Sequence, residues 1–335
     1  MPRVSVIVPT FNRRDSLICT IRSALGQTFQ DIEILVIDDG SGDDSAVEVL
    51  RHLGPDPERA ESLWRQHIAT ASGTCGFGFW IADVPLQYVY QANRGMGAAR
   101  NRGLASARGD MISFLEPGFQ WDPHFLERGI QFLDENAEAW MLHGRPVAGR
   151  APQRNGKKRR GATEMTFEEV VAGGNLCASA VLARRRCIDF HGGFDENLPA
   201  CEDYDLWVRI AAHVPIHHLA DCLVLIEQAP PVPGWSLDRY RVYALEKAFQ
   251  SGHLSSEQRR RVAEELVDRC DSLVEGYRKR NNIERANFYD RKRKKFEIEV
   301  TKLESSSRSG GTSRARAAEA TVGSAAGGFS EGDPS

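Results

Sequence analysis

Several features that would place a chain quickly are missing here. The 335 residues hold no CxxC pair, and the 7 cysteines (Cys19, Cys75, Cys177, Cys187, Cys201, Cys222, Cys270) are scattered and odd in number. A disulfide scaffold or a zinc-cysteine cluster is excluded on that pattern, and a reducing, cytoplasmic setting is expected. The 9 histidines include no HExxH and one adjacent pair, His217-His218, so a histidine metal centre has no support. No run approaches the ~18–20 uncharged apolar residues of a membrane span. Met1-Pro2-Arg3-Val4 leads directly into a strand pattern, without the charged and long apolar regions of a secretory leader. Net charge is small as well. With 43 basic and 46 acidic residues it is −3, which calls for neither nucleic acid nor an anionic surface across the chain as a whole. No internal repeat occurs.

What is present is a globular composition, 41% hydrophobic and 27% charged, sufficient for a sizeable core. The first ~120 residues alternate between two periodicities. Val4–Val8, Ile32–Ile37, Leu86–Gln91 and Met111–Leu115 read as strands. Leu17, Ile18, Ile21, Ala24 and Leu25 recur at helical spacing, as do Ala46, Val47, Val49, Leu50 and Leu53, and Gly97–Ala107 reads as a small-residue helix. Strands alternating with helices predict an α/β fold with a parallel sheet, whose ligand site lies at the strands' carboxyl ends. Between Gly54 and Pro85 the pattern lapses into a long stretch rich in glycine and aromatics. It reads either as a functional loop or as an insertion packed on the sheet edge.

Further on, Phe125, Leu126, Ile130 and Leu133 predict a helix, and Trp140–Leu142 and Cys177–Ala183 predict strands. Thr166 with Glu169 forms a capping box. Tyr204–Ala212 is a helix led by acids, and Ile216–Leu219 with Leu223–Ile226 read as the last strands. Arg154–Arg160 carries five basic residues, read as a solvated loop or a phosphate-binding patch. The organisation expected is a domain over 1–228, a helical extension over 229–304, and a Ser/Gly/Ala-rich disordered tail over 305–335. The basic run within 278–303 reads as a solvated face or a peripheral membrane contact.

Three constellations carry chemistry. Asp38-Asp39-Gly40-Ser41 ends the second strand, where a carboxylate can accept hydrogen bonds from a base or ribose, or cap a turn. Asn93-Arg94-Gly95-Met96-Gly97 with Ala99-Arg100-Asn101 opens a helix. It lacks the third glycine of a dinucleotide fingerprint, yet offers backbone N–H groups and arginines to an anion. Cys201-Glu202-Asp203-Tyr204-Asp205-Leu206-Trp207 starts another helix, where an acid serves either the helix dipole or general-base chemistry.

Taken in order, Val4–Arg13 with Pro9-Thr10-Phe11, then Gln27-Thr28-Phe29, Asp38–Ser41, Asn93–Gly95 with Ala99–Gly103, and Gly193-Phe194-Asp195 before Glu202–Trp207, this string resembles glycosyltransferase family 2 over residues 3–228. The resemblance implies a GT-A fold, with a Rossmann-like central sheet and helices on both faces. It also implies inverting transfer of a sugar from a nucleotide-sugar donor to a glycan or other hydroxyl acceptor, as in bacterial polysaccharide biosynthesis. Pro9, Thr10, Phe11 and Asp39 would hold base and ribose, with Asp38 in support. Asn93 and Arg100 would lie near ribose and phosphates, and Asp203 would be the base, with Glu202 beside it. The Asp-x-Asp that holds Mg²⁺ or Mn²⁺ in the family is altered to Glu116-Pro117-Gly118, so Glu116 is the one candidate metal ligand there. Either it recruits the cation with waters, or a group such as Arg100 or the 154–160 loop stands in. Gln228-Ala229-Pro230-Pro231 also replaces a Gly-Gly-His-type run. These two losses support an alternative, a catalytically impaired nucleotide-sugar-binding or scaffold protein retaining the fold. No nucleic acid is expected as partner, and the location expected is cytoplasmic, peripheral to the inner face of the membrane.

Overall fold

The structure, a computed structural model, describes residues 1–70, 74–149, 161–174, 176–227 and 234–322. The basic Arg154–Arg160 segment and Gln228–Pro231 lie outside the described residues. The chain runs β1 (Val4–Thr10), α1 (Arg14–Leu25), β2 (Ile32–Asp38), α2 (Ser45–Leu53), α3 (Ala60–Thr70), β3 (Thr74–Ile81), β4 (Val84–Gln91), α4 (Met96–Ser106) and β5 (Met111–Phe114). It continues through β6 (Phe119–Trp121), α5 (Phe125–Glu135), β7 (Met141–Ala148), β8 (Thr163–Met165), α6 (Phe167–Val171), β9 (Val181–Arg184), α7 (Arg185–His191), α8 (Glu202–Ala211) and β10 (Ile216–Ile226). Helices α9 (Gly234–Gln250), α10 (Ser256–Lys279) and α11 (Ile283–Val322) follow.

The strands form one sheet in the order β3-β4-β2-β1-β5-β9-β7-β10-β6, with β8 also paired to β10. Strands β4, β2, β1 and β5 are parallel, with Val6 opposite Ile34 and Ser113. Every residue of β1 and β2 is buried, which explains their near-continuous apolar runs. Two of the polar exceptions, Ser5 and Glu33, satisfy each other. Ser5 Oγ donates to Glu33 Oε1 at 2.7 Å, and the Arg108 backbone and Nε donate to the same carboxylate. Helix α4 lies so close to β1 that a Cβ on Gly103 would stand 2.4 Å from Ile7 Cγ2. That approach explains the helix's run of small residues.

The sheet departs from the all-parallel expectation in its second half. β9 runs antiparallel to both β5 and β7, β6 and β8 run antiparallel to β10, and only the β7–β10 pair is again parallel. Within the 54–85 stretch, α3 and then β3 are formed, the latter as an antiparallel edge strand on β4. Trp64 packs edge-on against Phe77, Tyr88 and Tyr90, and Phe77 stacks on Tyr88 at 4.8 Å. Gly76 and Gly78 interrupt the apolar alternation and so conceal the strand. β10 is one strand rather than two, with its register to β7 broken between His218 and Leu223. β9 begins only at Val181, after a 3₁₀ turn over Ala178–Ala180.

Two compact units result, Met1–Ala248 and Phe249–Ser335. Most of α9 thus belongs with the sheet rather than with an extension beginning at 229. Helix α9 buries Val242, Ala244 and Leu245, and Lys247 Nζ meets Asp195 at 2.7 Å and Asp205 at 2.8 Å. In the second unit α10 is capped by Ser255 and Gln258 and pairs with α11, where Tyr277 stacks on Tyr289. Helix α11 continues to Val322, into the segment read from composition as a tail. Alanines at 315, 317, 318 and 320 favour helix there, and residues 323–335 lie outside the described residues. Much of the basic run is neutralised within the unit. Arg293 pairs with Asp290 and Glu297, Lys294 with Asp290, and Lys302 with Glu299. Among the described residues no helix is long and apolar enough to cross a membrane.

Candidate active site

The carboxyl ends of β1, β2, β4 and β5 converge, as the parallel half of the sheet requires. Asn12 and Ser41 staple the first two loops. The Asn12 N–H donates to Ser41 Oγ, and Gly42 N–H donates to Asn12 Oδ1, both at 2.9 Å. Asp38 accepts from the Ser41 N–H at 2.8 Å and from the Tyr88 hydroxyl. Burial raises its carboxyl above the usual range, against the lowering effect of those donors. Asp39 is 1% exposed and takes three donors: Gln91 Nε2 at 2.8 Å, Arg94 N at 2.9 Å and Gly95 N at 2.7 Å. It therefore ties the loop before α4 to β2. Gly40 has φ +88, and a Cβ there would come within 2.9 Å of the Asn93 nitrogen, so the two loops touch through backbone. Asn93 itself is exposed at this rim. Thr10 is buried at the end of β1, its Oγ1 without a partner among the described residues, while Phe11 is 41% exposed beside it. Pro9 continues the strand opposite Ile37.

Because Asp39 holds the loop before α4 against the end of β2, its loss is expected to be felt in binding at this rim. Asp39→Ala is expected to weaken nucleoside diphosphate by ~1–3 kcal/mol, the cost of unpairing buried donors. Calorimetry giving equal affinities for parent and variant would remove it from the site.

A second constellation centres on Arg100. The residue is 3% exposed; one amino group donates to Glu116 Oε1 at 2.6 Å and the other to Glu202 Oε1. Its guanidinium carbon lies 5.2 Å from the centre of the Phe194 ring. Burial favours the neutral form, but Glu116, Glu202 and Asp203 outweigh it and hold the guanidinium charged. Asn101 pairs with both backbone groups of Phe194 at 2.9 Å. The Ala99-Arg100-Asn101 and Gly193-Phe194-Asp195 strings are thus one contact seen from two sides. Asp195 is in turn held by Lys247, and Asp205 by Lys247 and Arg209, which fixes the start of α8. Gln27, quoted in the same string, is structural. It bonds Asp122 O and Leu126 N, joining α1 to α5.

Asp203 stands on the first turn of α8, half-buried, and accepts from the Tyr204 N–H at 2.7 Å. Burial, then the charges of Glu202 and Glu116, push it up to about 6, while Arg100 opposes the rise. A carboxylate poised there is suited to accept a proton near neutral pH. Three acids thus surround one guanidinium, leaving negative charge in excess. Glu116 is held by Ser179, whose Oγ accepts from the Glu116 N–H at 3.0 Å. Its Oε1 is engaged by Arg100, and Oε2 has no partner among the described residues. Among those residues no group of three His, Cys, Asp or Glu converges to hold a metal. Glu116 and the excess negative charge fit a cation that brings most of its ligands with it, as Mg²⁺ does with phosphates and waters.

Sequence reasoning did not single out Tyr88, Ser179 or Arg209. Tyr88 and Ser179 each support a recognised acid from a distant element, which no local spacing signals, whereas Arg209 meets Asp205 one turn away on α8.

The model of the family described as "Glycosyl transferase family 2" matches residues 5–67 and 79–187. An uncharacterized glycosyltransferase of Nostoc sp. is 29% identical over 143 residues, 42% of this chain and 36% of that protein. The GalNAc(5)-diNAcBac-PP-undecaprenol beta-1,3-glucosyltransferase of Campylobacter jejuni is 30% identical over 143 residues, 43% of this chain and 37% of that one. The matches thus span about a third of these relatives' length. Among solved structures, S. aureus TarS 1–349 aligns with TM-score 0.52 at 17% identity, covering 88% of this chain and 92% of the other. A mannosyltransferase of Pyrobaculum calidifontis, in complex with GDP-Man and Mn²⁺, aligns with TM-score 0.53 at 16% identity, covering 90% and 84%. At such identities the likeness is one of fold, the GT-A arrangement of a mixed central sheet flanked by helices. The matched segments make up half of the sequence and run through both the Asp39 loop and Glu116, and on them the chain belongs to glycosyltransferase family 2.

Proposed function

We propose that the protein is an inverting glycosyltransferase, taking a sugar from a nucleotide-sugar donor to a hydroxyl of a glycan acceptor. The observation that carries this reading is Asp203, on the first turn of α8 beside the Arg100 cluster, raised to about 6 and in no ion pair among the described residues. In the reaction the acceptor oxygen attacks the anomeric carbon and its proton passes to Asp203. The bond from that carbon to the donor phosphate breaks on the opposite face, and the electron pair leaves with the nucleoside diphosphate. Pro9, Thr10 and Phe11 would receive the base, with Thr10 Oγ1 a buried group awaiting a partner. Asp39 holds the Arg94 and Gly95 backbone in place beside them. Arg100 binds Glu116 and Glu202, and its charge favours the ionised form of Asp203.

A divalent cation would be held by Glu116 together with donor phosphates, and would supply positive charge to the leaving group. Solved neighbours support both parts of the donor reading. TarS 1–349 has been seen with UDP, and the Pyrobaculum enzyme with GDP-Man and Mn²⁺. The name of the Campylobacter relative, which acts on a lipid-linked glycan, supports a glycan acceptor. Exposed Arg291 and Lys295 beside Phe288 and Ile298 on α11 support peripheral contact with an anionic membrane surface.

The test is a titration of UDP and GDP, with and without Mn²⁺, followed by product analysis with the matching nucleotide sugar. One nucleotide should bind, Mn²⁺ should tighten it about tenfold, and Glu116→Ala should abolish that gain without changing metal-free affinity. The transferred sugar should show the anomeric configuration opposite to the donor's by proton coupling. Retained configuration would refute the inverting mechanism. Nucleotide binding without turnover of any donor would favour the scaffold alternative, to which the loss of a second acid at Gly118 points.

A further inference from the structure

The sheet ends at β3, whose outer edge has no strand partner among the described residues. Sheet edges are commonly blunted by charge or proline, and β3 (Thr74–Ile81) contains neither. The interruption between the two family-matched segments, 68–78, takes in Thr74–Gly78, so this part of the edge stands outside the matched framework.

The two faces of the strand differ. Cys75, Phe77, Phe79 and Ile81 pack toward the core, with Phe77 against Trp64 and Tyr88. Trp80 projects from the other face and is 70% exposed, while Gly76 and Gly78 leave bare backbone opposite Val89 and Gln87. Over those glycines opens a cleft of about 440 Å³, bordered by Arg102 of α4. A projecting indole and an unfilled cleft thus share one face of one strand. Trp80 cannot fill the cleft of its own chain, because four residues of strand separate it from Gly76 by about 13 Å.

We infer that β3 pairs with β3 of a second copy of this chain, antiparallel about a twofold axis through Gly78. That register sets Gly78 opposite Gly78, Phe77 opposite Phe79 and Trp80 opposite Gly76, so each indole covers the other copy's glycines. A register centred on Phe77 would leave Gly76 facing Gly78 and the gap unfilled. Every contact repeats on both sides of the axis, as an isologous dimer requires. Opposite charges approach as well. The exposed Ala82-Asp83 turn of one copy comes to Thr74 of the other, on the cleft that Arg102 borders. Neither Asp83 nor Arg102 has a bonded partner among the described residues. The pairing stands apart from the glycosyltransferase reading, since no residue of β3 belongs to the Asp39 or Arg100 constellations.

The test is the mass of the full chain by sedimentation equilibrium over a dilution series, expected to approach twice 37.3 kDa at the concentrated end. Trp80→Ala, at an exposed position, should weaken the dimer about tenfold and keep the parent's circular dichroism. Gly78 is the residue that meets itself across the axis. Its backbone is outside the left-handed region, and a Cβ there would come no closer than 3.4 Å to the Leu86 carbonyl oxygen, so the monomer accepts a side chain. Gly78→Lys and Gly78→Glu should each be monomeric, with like charges standing opposite. Mixed in equal amounts they should dimerise again, lysine against glutamate. A parent that stays monomeric at every concentration would overturn the assignment and leave the edge to a foreign strand. So would a dimer that Trp80→Ala and Gly78→Lys leave unchanged. A dimer that both substitutions weaken but that mixing does not restore would overturn the pairing through Gly78.

Discussion

Asp203→Asn is expected to lower kcat by ~10²–10⁴ while leaving the nucleoside diphosphate Kd essentially unchanged. The base must be ionised to act, so the parent's kcat should rise with pH through about 6 and then level off. The variant should lose that limb altogether. The same shift predicts an effect on stability, with the opposite sign to that of a salt-bridged acid. A carboxyl whose folded pKa is raised stabilises the fold below its unfolded value near 3.8, and that contribution is lost as pH rises through about 6. Asn carries no such charge. The variant should therefore be more resistant to denaturant than the parent at pH 8 and gain nothing at pH 3. Parental kcat in the variant would assign the proton to another group. Unaltered stability at pH 8 would show that the raised pKa is not a burden on the fold.

Arg100→Met should be the most damaging single change to the fold near the site. It leaves Glu116 and Glu202 without the cation that both contact, and breaking a buried pair from one side costs about 3–5 kcal/mol. The loss should depend on pH. Without Arg100 the Asp203 charge goes unopposed at pH 8, whereas at pH 4 that carboxyl is protonated. Chemical denaturation should thus show a larger difference from the parent at pH 8 than at pH 4. Any residual turnover should have its acid limb moved above about 6, because Arg100 is the group that holds Asp203 down. A pH-independent loss would mean that the side chain matters through its packing on Phe194 alone. Arg100→Lys should recover little, since a single ammonium lacks the planar fork that reaches both acids.

These expectations rest on contacts of unequal visibility in the sequence. The strands β1, β2, β4 and β5, the helix α4, and both capping boxes follow from local patterns, because burial on both sheet faces selects unbroken apolar runs and a cap is a contact over three residues. β3 was hidden by its glycines, and the antiparallel placement of β9 has no local sign, since pairing direction is set by where the preceding chain returns. Likewise no local sign shows that α9 meets the sheet unit through Lys247, which reaches Asp195 and Asp205 more than forty residues upstream.

The sequence by itself determined the family, the order of the acids, and the alteration of the strand-end motif to Glu116-Pro117-Gly118, all properties of residue identity along the chain. Only the tertiary structure decided what each acid is bound to. Asp39 is saturated by Gln91 and the loop before α4, Glu116 and Glu202 share one buried guanidinium, and Asp203, next to that guanidinium, takes only the Tyr204 N–H among the described residues. The reason is electrostatic. A carboxylate's role depends on burial and on charges within a few ångströms, and here those charges come from α4, the end of β5 and α8, which are brought together only when the sheet closes around them.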